Sequence, residues 1–283
     1  MKASKLQSKT VLVTGCSSGI GLGIARHLRE RGWDVFPTAR SESALHELRS
    51  EGYEALPLDL RDSESIELCV SDFLRHSSVG IGAIVNNAGF ALPGAVEDLS
   101  RDDLRLQFEV NVFGLQELTN RLVPVFRRQG WGRIVNISSI YGVLTAPMIG
   151  GYYASKYALE ALSNAQRMEL GESGVALSLV EPGPILSGFR ENAYRALSSK
   201  VSPNNHFYGA YEKVLKRELG KPQKITGFTR GPRQVAEKVL HAITSDHPQS
   251  RYLVTYPAYA GSLMARVCPH FIIDYVMKKL VDF

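Results

Sequence analysis

The regular alternation of short apolar runs and longer amphipathic stretches is the feature that most limits how this 283-residue chain can fold. Runs rich in Val, Ile and Leu predict strands, and apolar residues at intervals of three and four predict helices. The predicted strands are residues 10–14, 34–38, 54–58, 81–85, 133–137, 175–180 and 252–255, and the predicted helices are 19–31, 42–50, 63–76, 101–128 and 152–171. Strands that alternate with helices pair in parallel, so the pattern predicts an α/β fold, a doubly wound parallel sheet with helices on both faces.

Two segments depart from this alternation, although no linker divides the chain and we expect residues 1–283 to form a single domain. Residues 184–230 are rich in Ser, Asn, Tyr, Lys and Arg, with short helices predicted at 192–197 and 211–219. A long insertion between regular elements is typical of a lid over a substrate. The apolar segment 258–283 contains Arg266, His270 and Asp274, so we expect a helix packed on the substrate side rather than a membrane span; attachment to a membrane surface is the alternative.

Composition limits the partners and the compartment. The chain has 33 Lys and Arg against 28 Asp and Glu, a net charge of +5, and the basic residues are scattered among acids, which argues against nucleic-acid binding. Its three cysteines lie far apart and form neither a disulfide framework nor a metal-ligand cluster. We therefore expect a cytoplasmic protein with no metal site and no stable membrane insertion.

A glycine-rich turn follows the first predicted strand and opens the first predicted helix. Glycines allow the backbone to turn sharply and to approach a pyrophosphate, whose charge is stabilised by the N–H groups of the helix N-terminus. The spacing is GxxxGxG rather than the common GxGxxG, so simple packing is the alternative. The strand-turn-helix context favours a Rossmann-type dinucleotide site, for which the candidate residues are Gly15, Ser17, Ser18, Gly19, Ile20 and Gly21.

The end of the second predicted strand indicates which dinucleotide is bound. A carboxylate at this place would bind the ribose 2′-hydroxyl of NAD, whereas Arg would meet the 2′-phosphate of NADP. The chain has Arg40 and Ser41 here and no carboxylate before Glu42. The planar guanidinium suits a phosphate, so the sequence predicts NADP(H) as cofactor; the alternative is a solvated Arg40 at a helix start.

Tyr152 and Lys156 are four positions apart at the start of a predicted helix and so share one face of it. A free tyrosine has a pKa of about 10, and a neighbouring ammonium group is expected to lower it by stabilising the phenolate. Such a pair can exchange a proton with a carbonyl or hydroxyl oxygen near neutral pH. The spacing alone is common on amphipathic helices, so a structural role is the alternative.

Further motifs occur in a fixed order around this pair. After the glycine turn come Asp59-Leu60, Asn86-Asn87-Ala88-Gly89, Asn111, Ser139, Tyr152 with Lys156, and Pro182-Gly183. This ordered set resembles the short-chain dehydrogenase/reductase family, in its short single-domain branch, over residues 9–184 and weakly to the C-terminus. Within the family the chain is similar to bacterial oxidoreductases of poorly defined substrate and to retinol and hydroxysteroid dehydrogenases.

The resemblance implies a catalytic tetrad of Asn111, Ser139, Tyr152 and Lys156. Tyr152 would exchange a proton with the substrate oxygen, which Ser139 would polarise. Lys156 would bond the nicotinamide ribose and lower the pKa of Tyr152, while Asn111 would hold a water in a proton relay. The remaining cofactor contacts that the resemblance implies are Asp59 and Leu60 at the adenine, Asn87, Ala88 and Gly89 near the ribose, and Pro182, Gly183, Ile185 and Ser187 at the nicotinamide.

The predicted substrate pocket is mostly apolar, which favours a lipid-like or aromatic substrate, although each side chain is equally suited to core packing. Its candidates are Phe90, Ala91, Ile140, Tyr141, Leu144, Met148, Leu186 and Phe189. The function we expect is NADP(H)-dependent reduction of an apolar aldehyde or ketone. The alternatives are an oxidative retinol- or hydroxysteroid-type alcohol dehydrogenase and a non-enzymatic NADP-sensing protein. The resemblance also implies a homodimer or homotetramer built on helices 101–128 and 152–171.

Overall fold

A seven-stranded parallel sheet forms the centre of the protein. The computed structural model describes residues 3–77, 79–218 and 228–280. The strands lie in the order β3-β2-β1-β4-β5-β6-β7, with every neighbouring pair parallel, which confirms the predicted doubly wound fold. Their bounds are β1 Thr10–Val13, β2 Asp34–Ala39, β3 Leu56–Pro57, β4 Ala83–Asn86, β5 Gly132–Ile137, β6 Val175–Pro182 and β7 Arg251–Val254.

Helices cover both faces of this sheet because successive strand residues point to opposite sides. Val11 and Val13 face one core, which contains residues of α1, α2 and α9, whereas Leu12 faces the other, which contains residues of α3 and α5. The helices are α1 Gly19–Glu30, α2 Glu42–Ser50, α3 Ser63–Arg75, α4 Arg101–Phe108, α5 Leu115–Gln129, α6 Gly150–Leu170, α7 Phe189–Ser198, α8 Tyr208–Glu218, α9 Pro232–Thr244, α10 Tyr256–Val267 and α11 His270–Leu280.

Two predicted elements differ in detail. The third strand, predicted at 54–58, pairs only through Leu56 and Pro57, and it lies at the edge of the sheet, where a proline is tolerated. The predicted helix 101–128 is α4 and α5 joined by a π-helical segment, Glu109–Gly114, which contains Asn111. Wide turns of this kind inside helices often mark functional sites.

Helix α9 was not predicted, although the sequence contained its signals. Gly231 is extended at its N-cap, and Pro232 occupies the first turn, where a missing N–H has no cost. The buried residues Val235, Ala236, Val239, Ala242 and Ile243 recur at helical spacing. The helix supplies the crossover that parallel β6 and β7 require.

Backbone hydrogen bonds join the two ends of the insertion 184–230 to each other. The Leu186 N–H donates to the Arg230 carbonyl at 2.8 Å, and the Arg230 N–H donates to the Pro184 carbonyl at 3.1 Å. Its helices α7 and α8 begin three residues earlier than predicted, and the predicted end of the second, residue 219, lies outside the described residues. The Tyr211 hydroxyl ties α8 to the body by donating to Asp98 at 2.5 Å. Its role as a lid remains a prediction.

The C-terminal segment forms two helices, α10 and α11, separated by Cys268 and Pro269, with residues 281–283 outside the described part. Ala258, Ile273 and Met277 pack against Ile140 and Leu144. No helix among the described residues is both long enough and apolar enough to cross a membrane.

Candidate active site

Ser139, Tyr152 and Lys156 lie together at the carboxyl end of β5. Ser139 follows that strand in extended conformation, and Tyr152 and Lys156 lie in the first two turns of α6. The Ser139 hydroxyl is hydrogen-bonded to the Tyr152 phenol, and the Lys156 ammonium donates to the Ile137 carbonyl at 2.9 Å. The structure therefore brings together three of the four residues predicted as a catalytic set, all of them buried.

The pKa of Tyr152 differs from the expectation, since burial raises it to about 12 instead of a neighbouring cation lowering it. The Ser139 hydrogen bond opposes this rise but does not overcome it. The Lys156 ammonium nitrogen is 5.9 Å from the centre of the Tyr152 ring, and the same burial acts against its own charge. The phenol is therefore protonated at neutral pH, as a proton donor must be.

Lys156 is fully enclosed, and loss of hydration lowers its pKa to about 8. The nearby carboxylate of Glu160, one helical turn further along α6, opposes that loss of charge. At neutral pH the ammonium form still predominates. Lys156 can therefore offer a positive charge and N–H donors next to the Tyr152 phenol.

The Asn111 side chain is held by three hydrogen bonds to protein groups. Its amide nitrogen donates to the Phe90 carbonyl at 3.0 Å and to the Ser155 hydroxyl at 3.1 Å, while its oxygen accepts from the Phe90 N–H at 3.1 Å. Both amide hydrogens are thus used. The relay that the resemblance implied cannot depend on donors of this side chain, which instead joins the π-helical segment, the Phe90 loop and α6.

The glycine turn has the properties that a pyrophosphate requires. Ser18 is the N-cap of α1 but its side chain makes no capping hydrogen bond, and the first turn has no acidic residue. A Cβ on Gly21 would lie 2.2 Å from the Gly15 carbonyl oxygen, so the turn is closed tightly on itself. Ser17 and Ser18 are exposed, while Ile20 packs on the core. The uncapped N–H groups of α1 therefore fit the phosphate-binding end of a dinucleotide.

Arg40 and Asp59 lie close together at the ends of β2 and β3, where the adenosine half was predicted. Arg40 is exposed, and its charge contributes to lowering the pKa of Asp59. The larger cause is Arg61, which the sequence reasoning missed and whose guanidinium donates two hydrogen bonds to the Asp59 carboxylate. The side chain of Leu60 is buried in the core, so only its backbone remains to meet a cofactor. Two guanidinium groups thus lie near one another at this corner.

Asn87 and Ala88 support the glycine turn through hydrogen bonds. The Asn87 amide donates to the carbonyls of Thr14 and Gly15 at 2.9 and 3.1 Å. The Thr14 hydroxyl accepts from the N–H groups of Asn87 and Ala88, both at 2.9 Å. Gly89 is exposed beside them. Asn87 therefore fixes the shape of the turn, a task that the sequence analysis did not assign to it.

The predicted nicotinamide end lies at the end of β6. The Gly183 N–H donates to the Val254 carbonyl at 3.0 Å, and a Cβ on Gly183 would lie 2.3 Å from the Thr255 hydroxyl. Pro182 is the last residue of β6, and Ile185 pairs with Arg230 at the neck of the insertion. These residues occupy the same edge of the sheet as the glycine turn, as a dinucleotide laid across the strand ends requires.

The predicted substrate residues separate into three groups. Phe189 and Tyr141 lie on the Tyr152 side, with 5.5 Å between the rings of Phe189 and Tyr152 and with Tyr141 stacked on Tyr153 at 4.5 Å. Ile140 and Leu144 pack against the C-terminal helices, and Met148 packs with residues of the insertion. Ala91 is buried in the same cluster as Tyr152 and Tyr153, and Phe90 and Leu186 lie in loops. Their contact with a substrate remains a prediction.

A buried charge cluster that the sequence reasoning missed lies behind Lys156. One terminal nitrogen of Arg251 lies 2.6 Å from a Glu160 oxygen and 2.5 Å from a Glu181 oxygen. The Glu160 and Glu181 side chains are 6% and 1% exposed, so two carboxylates share one guanidinium away from water. Burial and the charge of Glu181 raise the pKa of Glu160. The position of Glu160 eight residues after Tyr152 was its only sequence signal.

Comparison with known proteins identifies this chain as an oxidoreductase. The family model for short chain dehydrogenase matches residues 9–197, so the chain belongs to this family. It is 37% identical over 274 residues to the uncharacterized oxidoreductase YbbO of Escherichia coli (strain K12), covering 97% of this chain and 96% of that protein. It is 33% identical over 286 residues to retinol dehydrogenase 16 of Mus musculus, covering 97% and 89% respectively.

A solved structure extends this similarity to the whole fold. An F189W variant of actinorhodin polyketide ketoreductase, crystallised with NADPH, superposes with a TM-score of 0.70 and 28% sequence identity. The match covers 90% of this chain and 99% of that one. The resemblance found in the sequence motifs is thereby confirmed as membership of the family.

Proposed function

We propose that this protein is an NADP(H)-dependent reductase of apolar aldehydes or ketones in which Tyr152 is the general acid. The observation that carries this proposal is the grouping of the buried Tyr152 phenol, the Ser139 hydroxyl and the Lys156 ammonium at the carboxyl end of β5. Burial keeps the phenol protonated at neutral pH. A group that stays protonated through the neutral range is suited to giving a proton to a carbonyl oxygen.

The residues divide the chemistry as follows. Ser139 and Tyr152 both direct hydroxyl groups to one place, where a substrate oxygen would accept from them as negative charge develops on it. The Lys156 ammonium, held by the Ile137 carbonyl, stabilises the phenolate that remains after proton transfer. The nicotinamide, when bound, supplies the hydride. The uncapped start of α1 holds its pyrophosphate, and the Asn87–Thr14 hydrogen bonds keep that turn in shape.

The preference for NADP(H) is supported by charge. Arg40 is exposed at the end of β2, and Arg61 lies beside it on Asp59. A 2′-phosphate would meet two guanidinium groups, of which Arg40 is nearer the second strand, whereas the 2′-hydroxyl of NAD would meet no carboxylate at the position after β2. The ketoreductase structure with NADPH is consistent with this choice.

An oxidative alcohol dehydrogenase is the second candidate. Its support is the similarity to retinol dehydrogenase 16 of Mus musculus. The same residues would act in reverse, with the Tyr152 phenolate removing a hydroxyl proton. The same Tyr152 hydroxyl gives its proton in one direction and takes it back in the other, so the choice between the two candidates rests on the cofactor, and Arg40 favours NADP(H).

The proposal includes an assembly and a compartment. Exposed apolar residues on the π-helical segment and α6, among them Phe113, Leu162 and Met168, support a homodimer or homotetramer formed through these helices. Cys16, Cys69 and Cys268 are all free thiols, which supports a reducing, cytoplasmic setting.

Cofactor oxidation by the purified protein tests the function. We expect NADPH to be consumed faster than NADH with medium-chain and aromatic aldehydes, and Arg40→Ala to reduce that preference. Tyr152→Phe should lower turnover by roughly 100-fold or more while NADPH binding persists. Tyr53→Phe is the matched control, because the buried Tyr53 hydroxyl has no hydrogen-bond partner among the described residues and Tyr53 precedes β3, which three strands separate from β5. Full activity of Tyr152→Phe, or equal rates with both cofactors, would contradict the proposal.

A further inference from the structure

The two C-terminal helices expose an unusual concentration of apolar side chains. Of the 19 large hydrophobic residues that are exposed in the described part of the chain, eight lie within the 25 residues of α10, α11 and their connection. We name them the C-terminal patch: Tyr256, Tyr259, Leu263, Val267, Phe271, Ile272, Tyr275 and Leu280. Scattered exposed apolar residues need no explanation, but a contiguous group marks an interaction site.

Helix α10 has one buried face and one exposed face. Its inward residues, Ala258, Gly261 and Ser262, are small and buried against the body. Its outward residues Tyr256, Tyr259, Leu263 and Val267 are 53–68% exposed and recur at intervals of three and four, which places them in one stripe along the helix. The outward stripe is therefore largely exposed to solvent in the described chain.

Helix α11 repeats this arrangement. Ile273 and Met277 are buried against the body. Phe271 and Tyr275 are 74% and 61% exposed, and their positions in the helical repeat place them on the side opposite those two residues. Lys278 and Lys279 follow on the outward side, with the Lys279 ammonium 4.8 Å from the centre of the Tyr275 ring.

Positive charge surrounds the C-terminal patch. Arg266, Lys278 and Lys279 are exposed on the two helices, and the Arg230 guanidinium lies 5.5 Å from the Tyr256 ring centre. Asp274 is the single carboxylate on the described part of these helices; Asp282 lies outside that part. A twofold contact between copies would bring like charges of the same patch together, whereas an anionic surface would complement them.

We propose that the C-terminal patch binds the surface of an anionic lipid bilayer, with its aromatic and aliphatic side chains in the headgroup region. Aromatic rings with flanking lysines are suited to this depth, where the apolar part is buried and the charges meet lipid phosphates. The helices have 12 and 11 residues, or roughly 18 and 16 Å, so they can lie on the bilayer but not cross its hydrocarbon core of roughly 30 Å.

The inward side of helices α10 and α11 lies next to the candidate active site, which indicates what such binding would achieve. Ala258, Ile273 and Met277 pack on Ile140 and Leu144. Ile140 is the residue after Ser139, and Leu144 lies in the same loop. A bilayer bound to the outer side would hold apolar substrates close to the site. This last step rests on the proposed function, whereas the binding itself does not.

Vesicle co-sedimentation of the full-length protein tests the proposal. We expect at least ten-fold tighter binding to phosphatidylcholine vesicles containing 30% phosphatidylglycerol, as an approximate composition, than to pure phosphatidylcholine, with the difference falling in high salt. Phe271→Ser with Tyr275→Ser, and separately Lys278→Glu with Lys279→Glu, should each weaken binding at least ten-fold. The control is Leu68→Ser with Val79→Ser, which removes two exposed apolar side chains elsewhere and should bind like wild type.

Two further measurements separate the outcomes. Light scattering without vesicles shows whether a patch variant changes the oligomeric state. If the wild type is a dimer that does not bind vesicles, and the double variant Phe271→Ser with Tyr275→Ser is a monomer, the patch binds a second copy and the proposal is overturned. Equal binding by all variants would also overturn it. Reduction of a water-soluble aldehyde is measured in parallel, so an inactive protein that still binds vesicles would contradict the proposed function alone. The charge-reversal pair alters only exposed side chains, so the test remains available if the serine pair does not fold.

Discussion

Replacing Arg251 by Met should destabilise the protein strongly, because it removes the only guanidinium shared by Glu160 and Glu181 in the described structure. The two carboxylates are 6% and 1% exposed and would remain in a site that water barely reaches. Removing one partner of a buried ion pair costs about 3–5 kcal/mol in free energy of unfolding. At roughly 2–4 °C per kcal/mol for a chain of this size, the melting temperature should fall by roughly 6–20 °C.

The loss should depend on pH with a definite sign. Burial and the neighbouring Glu181 charge already raise the pKa of Glu160, and without Arg251 that pKa should rise further. A carboxyl whose pKa is higher in the folded than in the unfolded state binds more protons when folded. Its stabilising contribution is present at low pH and is lost as the pH rises through the folded-state value. Arg251→Met should therefore lose less stability at pH 5 than at pH 7.5.

Urea denaturation at these two pH values measures the effect, with Trp33 and Trp131, both buried, as fluorescent reporters. Arg251→Met combined with Glu160→Gln should recover part of the loss, since one unpaired charge is removed. Arg26→Met is the matched control, because its partner Glu51 and Arg26 itself are 32% and 51% exposed, and such a pair contributes about 0–1 kcal/mol. A loss below about 1 kcal/mol, or an equal loss at both pH values, would refute the reasoning.

Three further changes follow from single positions. Gly21→Ala should weaken NADPH binding at least ten-fold in a fluorescence titration, since its Cβ would lie 2.2 Å from the Gly15 carbonyl oxygen. Gly209→Ala is the control: outside its own helix, no described atom lies within 4 Å of the added Cβ, so this variant should keep binding and gain up to about 1 kcal/mol of stability. Thr255→Gly should stabilise the fold by roughly 1 kcal/mol, because Thr255 has a φ of +89° and its buried hydroxyl finds no hydrogen-bond partner in the described part of the chain; a lower melting temperature would contradict this. Burial lowers the pKa of Lys156 to about 8, so between pH 7 and pH 10 the unfolded chain binds more protons than the folded one. The wild type should therefore gain roughly 2–3 kcal/mol of stability relative to Lys156→Met over this range; a pH-independent difference in urea unfolding would exclude it.

The sheet was predictable because its information is local. Each inner strand is a short apolar run, and adjacent residues such as Leu12 and Val13 enter opposite cores, which indicates helices on both faces. What failed was also local. The edge strand β3 has two residues instead of the five predicted, and the apolar spacing of α9 was present in the sequence but followed the irregular insertion and was not interpreted as a helix. The π-helical segment has no comparable signal, since it depends on how Asn111 is held by Phe90 and Ser155.

The chemistry of the site was harder to predict from the sequence than the identity of the residues that form it. Ordered motifs brought Ser139, Tyr152 and Lys156 together, but spacing alone says nothing about burial. Burial decides the sign of the pKa change, and for Tyr152 it outweighs the influence that the lysine was expected to have. The partners of Glu160 were hidden for another reason: Arg251 follows it by 91 positions, and only the β6–β7 pairing brings them together.

Tyr152, Lys156 and Glu160 lie at intervals of four on α6, so a neutral phenol, an ammonium and a carboxylate follow one another along one side of the helix. The Glu160 charge raises the pKa of Lys156, but Glu160 is itself paired with Arg251, so only part of its field acts on the ammonium. Loss of Arg251 should leave more negative charge behind Lys156 wherever Glu160 stays ionised. The ammonium form would then persist to higher pH, and the upper limit of the pH range for reduction should move upward in any Arg251→Met protein that remains folded. The stability of the fold and the charge next to the phenol therefore depend on the same guanidinium.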